Sequence, residues 1–469
     1  MEIRTRFAPS PTGDLHIGGA RTALFNYLFA KSMKGKFLLR IEDTDLKRSD
    51  SSLSEKIIND IKWLNIPWDE EIVFQQQNQN KHKQIIDFLL EKGLAFRCYS
   101  NKEDLTETSF RANEIRGAVF RSPWRDRVVK DQPSMQNVVR FKVPSDPSRI
   151  NFMDKIRGDL SWDLNNIEDF IIARSDGSST YNLAVVVDDH NMNISHVIRG
   201  EDHLTNTVKQ LLIYRALDWV PPIFAHIPLI HNTIGEKLSK RDGKSNLLDF
   251  KHEGFLPDAM LNYLARLGWS YKNEEYFNLD QAISWFTLEG IGKSPSKFDV
   301  KKLLYISKKH LMAKPVNEIH ESLLRYMEVY KNINISESCS KKLSLFLPLV
   351  VERCATLGEI FESSLFLFEE EDVRLKKVLA LLDHSSKKTL AEFVATIKSI
   401  NLIWNSEYLN KFINTYCHEN NLKFRDIGVP LRIALTGSTS SPSIVHIMEI
   451  LGEQKTIDRL NLSIDLIKN

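Results

Sequence analysis

A chain of 469 residues is too long for one hydrophobic core, and 42% hydrophobic with 26% charged residues is ordinary for a globular protein in water, so roughly three to five domains are expected. A formal charge of +2 excludes binding to nucleic acid through bulk charge alone, so any such surface must be a local basic patch. No apolar run reaches the roughly 18 residues of a membrane span, residues 1–9 lack the apolar segment of a secretory signal, and Cys98, Cys339, Cys354 and Cys417 are too scattered for a metal pattern; the expectation is a cytoplasmic protein with reduced thiols and no membrane partner.

From the N-terminus, the pattern predicts a strand over 3–8 and a helix over 20–30 with Leu24 and Leu28 at helical spacing. A strand over 36–42 follows, then a helix over 53–64 whose Ile57, Ile58, Ile61 and Leu64 share one face. The polar run 75–80 reads as a loop entering a helix over 83–92. Between about 95 and 175, short strands such as 138–143 alternate with Pro and turn signals, as in an inserted α+β domain. The apolar run 180–188 reads as a buried strand, 194–200 as another and 204–217 as a helix, returning the chain to its first sheet. Beyond 245 strand signals fade. Residues 258–267 place Ala259, Leu261, Leu264, Ala265 and Leu267 as the apolar positions of a helix. From 315 onward nearly every segment is helix-patterned, 375–382 and 389–400 among them. No internal repeat is present.

Two short stretches carry chemistry. The first is Arg6-Phe7-Ala8-Pro9-Ser10-Pro11-Thr12-Gly13-Asp14-Leu15-His16-Ile17-Gly18-Gly19, where a strand hands over to a helix. Small residues before a helix N-terminus let backbone N–H groups approach an anion, and the helix dipole adds about 0.3–1 kcal/mol. His16 can donate to a phosphate oxygen whose charge grows in a transition state. The second is Glu236-Lys237-Leu238-Ser239-Lys240-Arg241, whose two ammonium groups and guanidinium can clamp phosphates. Alone it is equally a solvated basic turn.

Together these stretches resemble the two signatures of class I aminoacyl-tRNA synthetases, usually written HIGH and KMSKS, with Leu238 in place of Met. The run from Arg6 to Asn26, the strings 39–45 and 181–204, and Phe424-Arg425-Asp426-Ile427-Gly428-Val429-Pro430-Leu431-Arg432 through Gly437 resemble bacterial glutamyl-tRNA synthetases. The resemblance covers essentially the whole chain. It implies a multidomain α/β plus all-α protein. A Rossmann-like parallel-sheet catalytic domain (1–78 and 176–236) would be split by an α+β insertion binding the acceptor end (79–175). A stem-contact domain (237–315) and two helical anticodon-binding domains (316–370 and 371–469) would follow.

The implied activity is ATP-dependent activation of L-glutamate, with Mg2+, followed by transfer to the terminal adenosine of tRNA-Glu, with tRNA-Gln as an open alternative. Charging of tRNA-Gln would link the protein to a tRNA-dependent amidotransferase. The resemblance makes His16, Lys237 and Lys240 catalytic, with Lys240 the key transition-state cation. Ser10, His16, Gly18, Gly19, Lys237, Ser239 and Lys240 would hold ATP, the two glycines leaving room for adenine and ribose. Arg6, Ser10, Glu42, Tyr181 and Arg199 would hold glutamate, Glu42 facing the α-ammonium, with Glu201 close by. A planar Arg fork suits a carboxylate and rejects an amide, because glutamine would aim a donor at a donor; a lost charged hydrogen bond costs roughly 1.5–3 kcal/mol. Glu42 and Asp43 are also plausible members of plain salt bridges.

Many relatives carry a zinc knuckle that opens with Cys-x-Cys. Here the place reads Arg97-Cys98-Tyr99-Ser100 with no Cys or His between 101 and 189, too few ligands for tetrahedral zinc, so no structural zinc is expected. Arg111, Arg116, Arg121, Arg125 and Arg127 are candidates for the acceptor end, and Arg353 for the anticodon. The family is usually monomeric. A glutaminyl relative would carry a β-barrel anticodon region, whereas this sequence reads helical there.

Overall fold

The computed structural model describes residues 2–44, 51–100, 119, 121–127, 136–238, 244–368, 378 and 381–467. The chain divides into two compact units, one of residues 1–249 with 257–300, the other of 250–256 with 301–469.

The first unit is built on parallel strands. Strands β1 (Arg4–Phe7), β2 (Lys36–Ile41) and β3 (Val73–Phe74) pair in that order, all parallel. Between them run helices α1 (Ile17–Ser32) and α2 (Ser51–Trp63). Helix α3 (Gln79–Glu91) follows a short 3-10 turn over Gln75–Asn78 and starts earlier than its apolar pattern. An antiparallel sheet, ordered β4 (Ala95–Cys98), β5 (Val138–Phe141), β8 (Ile171–Ala173), lies within the predicted insertion. The hairpin β6 (Arg149–Asp154) and β7 (Gly158–Asp163) belongs elsewhere. It joins β9 (His196–Gly200) and β10 (Ile223–Ile227) in one sheet, order β7-β6-β10-β9. The inserted segment therefore contributes two strands to the returning sheet.

One prediction fails here. The run 180–188 is no strand but helix α4 (Tyr181–Asn191). Leu183, Ala184, Val185, Val186 and Val187 are all buried, so every side of this helix is apolar and the 3.6-residue period vanishes. A continuous apolar run does not distinguish a buried helix from a buried strand. Helix α5 (Leu204–Ala216) follows β9 as expected.

Strand β1 meets β9 at Ser195, whose N–H donates to Arg4 O at 2.9 Å while Arg4 N donates to Ser195 Oγ at 2.7 Å. The two strand sets run outward from this seam in opposite directions along the chain. That makes β1/β9 the switch point, and ligands of open α/β sheets bind outside the strands' carboxyl ends there. Helix α1 covers the seam. It buries Leu24, Phe25 and Leu28, each worth about 1.5–3 kcal/mol, against β1, β2 and the helices α7 (Pro257–Arg266) and α8 (Leu279–Trp285). Arg21, buried within α1, donates to the carbonyls of Leu267 (2.9 Å) and Pro228; burial pushes its pKa down to about 10. Beyond β10, the two-residue strands β11 (Ile230–His231) and β12 (Ser296–Lys297) pair in parallel, and helix α6 (Leu247–His252) follows the second signature.

The second unit is helical throughout its described residues. Its helices are α9 (Val300–Ala313), α10 (Val316–Tyr326), α11 (Glu337–Val350), α12 (Leu357–Ser364), α13 (His384–Ser399), α14 (Ser406–Glu419), α15 (Phe424–Thr436), α16 (Ile444–Leu451) and α17 (Glu453–Leu466). Their starts are written in the sequence. The side chains of Ser336, Thr356, Asp383 and Asn405 cap α11 to α14, each accepting from an N–H of the first turn. Gly437 ends α15 at φ 62, the left-handed conformation that glycine adopts without strain. The predicted helix over 375–382 lies largely outside the described residues.

Candidate active site

A cleft of about 400 Å3 opens at the carboxyl ends of β1 and β9. Its walls include Arg6, Ser10, His16, Gly18, Gly19, Glu42, Tyr181, Arg199 and Lys237. These are the expected catalytic, nucleotide and glutamate residues, apart from Ser239 and Lys240, which lie outside the described residues. The segments flanking that stretch are both tied to the cleft. Leu238 N donates to Ile230 O, and Ile17 N donates to Ser245 O, both at 2.9 Å. The first signature and the described start of the second, Lys237 and Leu238, therefore share one cleft.

The first signature is organised by His16, the N-cap of α1. Its Nδ1 accepts from Gly18 N at 3.1 Å, which leaves the ring proton of the neutral imidazole on Nε2. Glycine at 19 has a packing reason beside any ligand: a Cβ there would sit 2.9 Å from Leu15 Cδ1. Lys237 Nζ reaches Asp202 at 3.2 Å, and both side chains are largely exposed.

The opposite end of the cleft is buried and charged. Arg6 grips Asp189 with Nε (3.1 Å) and Nη2 (3.3 Å). Arg40 donates to the same carboxylate at 2.6 Å and to Glu42 at 3.1 Å. Burial alone would raise Asp189, but Arg40 and Arg6 outweigh it and hold its pKa below the usual carboxylate range. Burial pushes Glu42 up. The salt-bridge reading of Glu42 is thus realised through Arg40, while the carboxyl still lines the cleft. Asp43 accepts from Gln76 N at 2.8 Å.

Arg199 differs from Arg6 in having no carboxylate bound to it among the described residues. Its Nη2 donates to Thr207 Oγ1 (2.7 Å) and Gln210 Oε1 (2.8 Å), and its Nε donates to His226 Nε2 (3.3 Å). The guanidinium lies over the Phe224 ring, 5.5 Å from the centroid. Nη1 is buried and has no hydrogen-bond partner among the described residues. Burial lowers the Arg199 pKa, and an anion at Nη1 would oppose that shift. Tyr181 bonds His203 Nδ1 at 3.1 Å, and burial raises the phenol. Glu201, expected close to the glutamate residues, accepts from Leu229 N (2.9 Å) and pairs with Arg157.

Asp189, Arg40, His226, Thr207 and Gln210 complete the site and were not singled out from the sequence. The adjacent Asp188 and Asp189 within an apolar run were a readable signal, because buried carboxylates require partners. Asp188 has its own: Gln75, Asn78 and His82 all bond it, and His82 Nδ1 meets Ser179 Oγ at 3.0 Å. That Ser–His–Asp chain is buried and absent from the cleft walls.

At the predicted zinc-like position, Cys98 Sγ meets Ser122 Oγ at 3.2 Å. Burial opposes ionisation, but hydrogen bonds from Ser122 and Ser100 outweigh it and lower the thiol. Among the described residues no cluster of three His, Cys, Asp or Glu could hold a metal ion. Arg121 and Arg125 are committed to the carbonyls of Ile167 and Val143 and to Asp169. Arg127 lies over the Trp124 ring, while Arg111 and Arg116 lie outside the described residues. In the helical unit, Arg353 Nη1 donates to Ser441 O (3.0 Å) and Arg432 Nε to Ser441 Oγ (2.9 Å), bringing two cations to one loop.

Comparison with known proteins shows the family. Residues 2–305 match the family described as tRNA synthetases class I (E and Q), catalytic domain, and residues 318–464 match an anticodon binding domain. Glutamate–tRNA ligase 2 of Anaplasma phagocytophilum (strain HZ) is 42% identical over 464 residues, spanning 98% of this chain and 99% of its own. The glutamate–tRNA ligase of Pelagibacter ubique (strain HTCC1062) is 41% identical over 461 residues, spanning 98% of each. A crystal structure of a glutamate tRNA ligase from Elizabethkingia meningosepticum CCUG26117, in complex with its amino acid, aligns over the whole of both chains at a TM-score of 0.82 and 29% identity.

Proposed function

The chain belongs to the class I glutamyl-tRNA synthetases, and from that membership we propose how its cleft performs the reaction. A glutamate–tRNA ligase joins glutamate to tRNA with ATP as the energy source. An α-carboxylate oxygen of glutamate attacks the α-phosphorus of ATP, the bond to the β-phosphate breaks, and pyrophosphate leaves. A ribose hydroxyl of the terminal adenosine of tRNA then attacks the acyl carbon and AMP leaves.

Arg199 receives the side-chain carboxylate of glutamate at Nη1. The observation that carries this is a buried guanidinium with an unpartnered N–H edge in the cleft wall. Arg6, already held by Asp189, adds its charge without surrendering its partner. Glu42 faces the α-ammonium, and a cation there relieves the burial that raises its pKa. Tyr181 and Ser10 supply hydroxyls. Glutamine would set its amide N–H against the N–H of Arg199, at a cost of roughly 1.5–3 kcal/mol. His16 Nε2 donates to the phosphate where charge develops, Gly18 and Gly19 admit the nucleotide, and Lys237, Ser239 and Lys240 hold the leaving pyrophosphate. Magnesium would be brought as part of the ATP substrate and would neutralise phosphate charge. No protein nucleophile is needed; positioning and electrostatics suffice. Arg353 meets the anticodon.

Charging of tRNA-Gln, the consequent link to an amidotransferase and a monomeric active form rest on the resemblance, and a cytoplasmic location rests on the few, scattered cysteines. The test is charging of separately purified tRNA-Glu and tRNA-Gln with labelled glutamate and ATP-Mg2+. Label on tRNA-Glu alone makes the enzyme discriminating; label on tRNA-Gln requires downstream amidation; no label on either overturns the proposal. In the same assay Arg199→Gln is expected to raise the KM for glutamate by roughly 10- to 100-fold.

A further inference from the structure

Arg199 is held by a buried chain that begins two strands away. His226, on β10, is fully buried and absent from the cleft walls. Its Nε2 accepts from Arg199 Nε at 3.3 Å and lies 2.9 Å from Thr207 Oγ1. An imidazole accepts at Nε2 only when neutral, with its proton on Nδ1. That proton points at Asp154 Oδ2, 2.6 Å away. Asp154 closes β6, in the hairpin contributed by the inserted segment. Its carboxylate also accepts from the backbone N–H groups of His226 (3.1 and 3.2 Å), Ile156 (3.0 Å) and Arg157 (2.8 Å). A carboxylate so fully bonded cannot rotate away, so the His226 tautomer is fixed.

We propose that His226, with its tautomer set by Asp154, is a positioning residue for Arg199 and so a determinant of amino-acid affinity. This rests on the reading that Arg199 receives the glutamate side chain. Neutral acceptors occupy Nε and Nη2, and Phe224 supports the guanidinium face. The donors of Nη1 are thereby aimed into the cleft in one orientation. With the His226 acceptor gone, the guanidinium can turn about its stem and offer its donors elsewhere. Misplacement of a binding group by about 1 Å can cost on the order of 100-fold. The relay also makes the inserted hairpin part of the pocket's frame, although none of its residues lines the cleft.

Two amides separate the ends of the relay. His226→Asn places a donor near Nδ1, keeping Asp154 satisfied, but gives Arg199 no acceptor. His226→Gln places an acceptor near Nε2. We expect His226→Asn to raise the KM for glutamate by about 10- to 100-fold, with kcat and the KM for ATP and tRNA changed by less than about threefold. His226→Gln is expected to return the glutamate KM to within about fivefold of the parent. Thermal unfolding of the full chain checks that each variant folds, and the Gln variant tests the proposal if the Asn variant does not. Arg199→Lys run alongside keeps the two readings distinguishable. An unchanged glutamate KM in Arg199→Lys sinks the pocket assignment itself. A raised KM there with a normal KM in His226→Asn overturns the relay alone. Equal losses for glutamate, ATP and tRNA in both His226 variants make His226 merely structural and also overturn it.

Discussion

The two ends of the cleft are built on opposite principles. At the proposed amino-acid end, Arg6, Arg40, Asp189, Glu42 and Arg199 are all buried; Asp189 is gripped by both Arg6 and Arg40, Arg40 also reaches Glu42, and Arg199 is held by Thr207, Gln210 and His226. At the phosphate end, His16 caps a helix, and Lys237 reaches Asp202 across solvent with a side chain 61% exposed. Choosing among amino acids requires donors fixed before the ligand arrives. Phosphate chemistry requires cations that follow charge as it moves to the leaving group. The first calls for a rigid scaffold, whereas the second tolerates a loop.

Breaking the buried end should cost the most. Asp189→Ala leaves two guanidiniums facing each other without their carboxylate. Removing one partner of a buried pair costs about 3–5 kcal/mol, so the denaturant midpoint should fall sharply and charging should be lost with it. At the other end the pattern should invert. His16→Ala or Lys240→Ala is expected to lower the rate of ATP–pyrophosphate exchange by about 100- to 1000-fold. For His16→Ala the stability loss should stay within the roughly 0.5–2 kcal/mol of an N-cap. Similar stability losses from Asp189→Ala and His16→Ala would remove the distinction between the ends.

The contrast also explains what could be read in the sequence. The first signature, which supplies most of the phosphate end, is contiguous: Phe7 to Gly19 gives strand end, turn, cap and helix start in one string. The amino-acid end is assembled from distant segments. Asp154 carries no local mark of function; its role exists only because β6 lies beside β10. Helix α4 was misread because a fully buried helix loses its periodicity, and with that went the chance to see Asp189 facing two arginines. In the helical unit the caps at Ser336, Thr356, Asp383 and Asn405 are local chemistry that the sequence analysis did not single out. The convergence of Arg353 and Arg432 on Ser441 was not legible, because the two arginines are far apart in the chain.

Acid should weaken the buried framework before it reaches the exposed cations. Burial pushes His196 and His203 down to about 4, against roughly 6.5 in an unfolded chain. Between those values the unfolded chain binds more protons, so stability rises with pH and is lost as pH falls from about 6.5 towards 4. The depressed carboxyl of Asp189 extends the loss to lower pH in the same direction. A thermal midpoint that falls through this window, with a shallower slope in His196→Asn, is the expected outcome. A flat profile would contradict the burial of His196 and His203.

Salt gives the smallest effect and separates the ends within one unmodified protein. Exposed charges are screened once the Debye length shrinks from about 10 Å at 0.1 M towards 3 Å at 1 M, whereas buried pairs are screened far less. Lys237 and Asp202 face solvent, so ATP held partly by Lys237 should bind a few-fold more weakly across that range. Glutamate held by Arg199, with its neutral buried acceptors, should bind with nearly constant affinity. Direct binding titrations without tRNA are the proper measurement, because tRNA brings a steep salt dependence of its own. Equal slopes for the two ligands would mean that Arg199 meets its carboxylate in open water, and the division of labour along the cleft would then have no electrostatic basis.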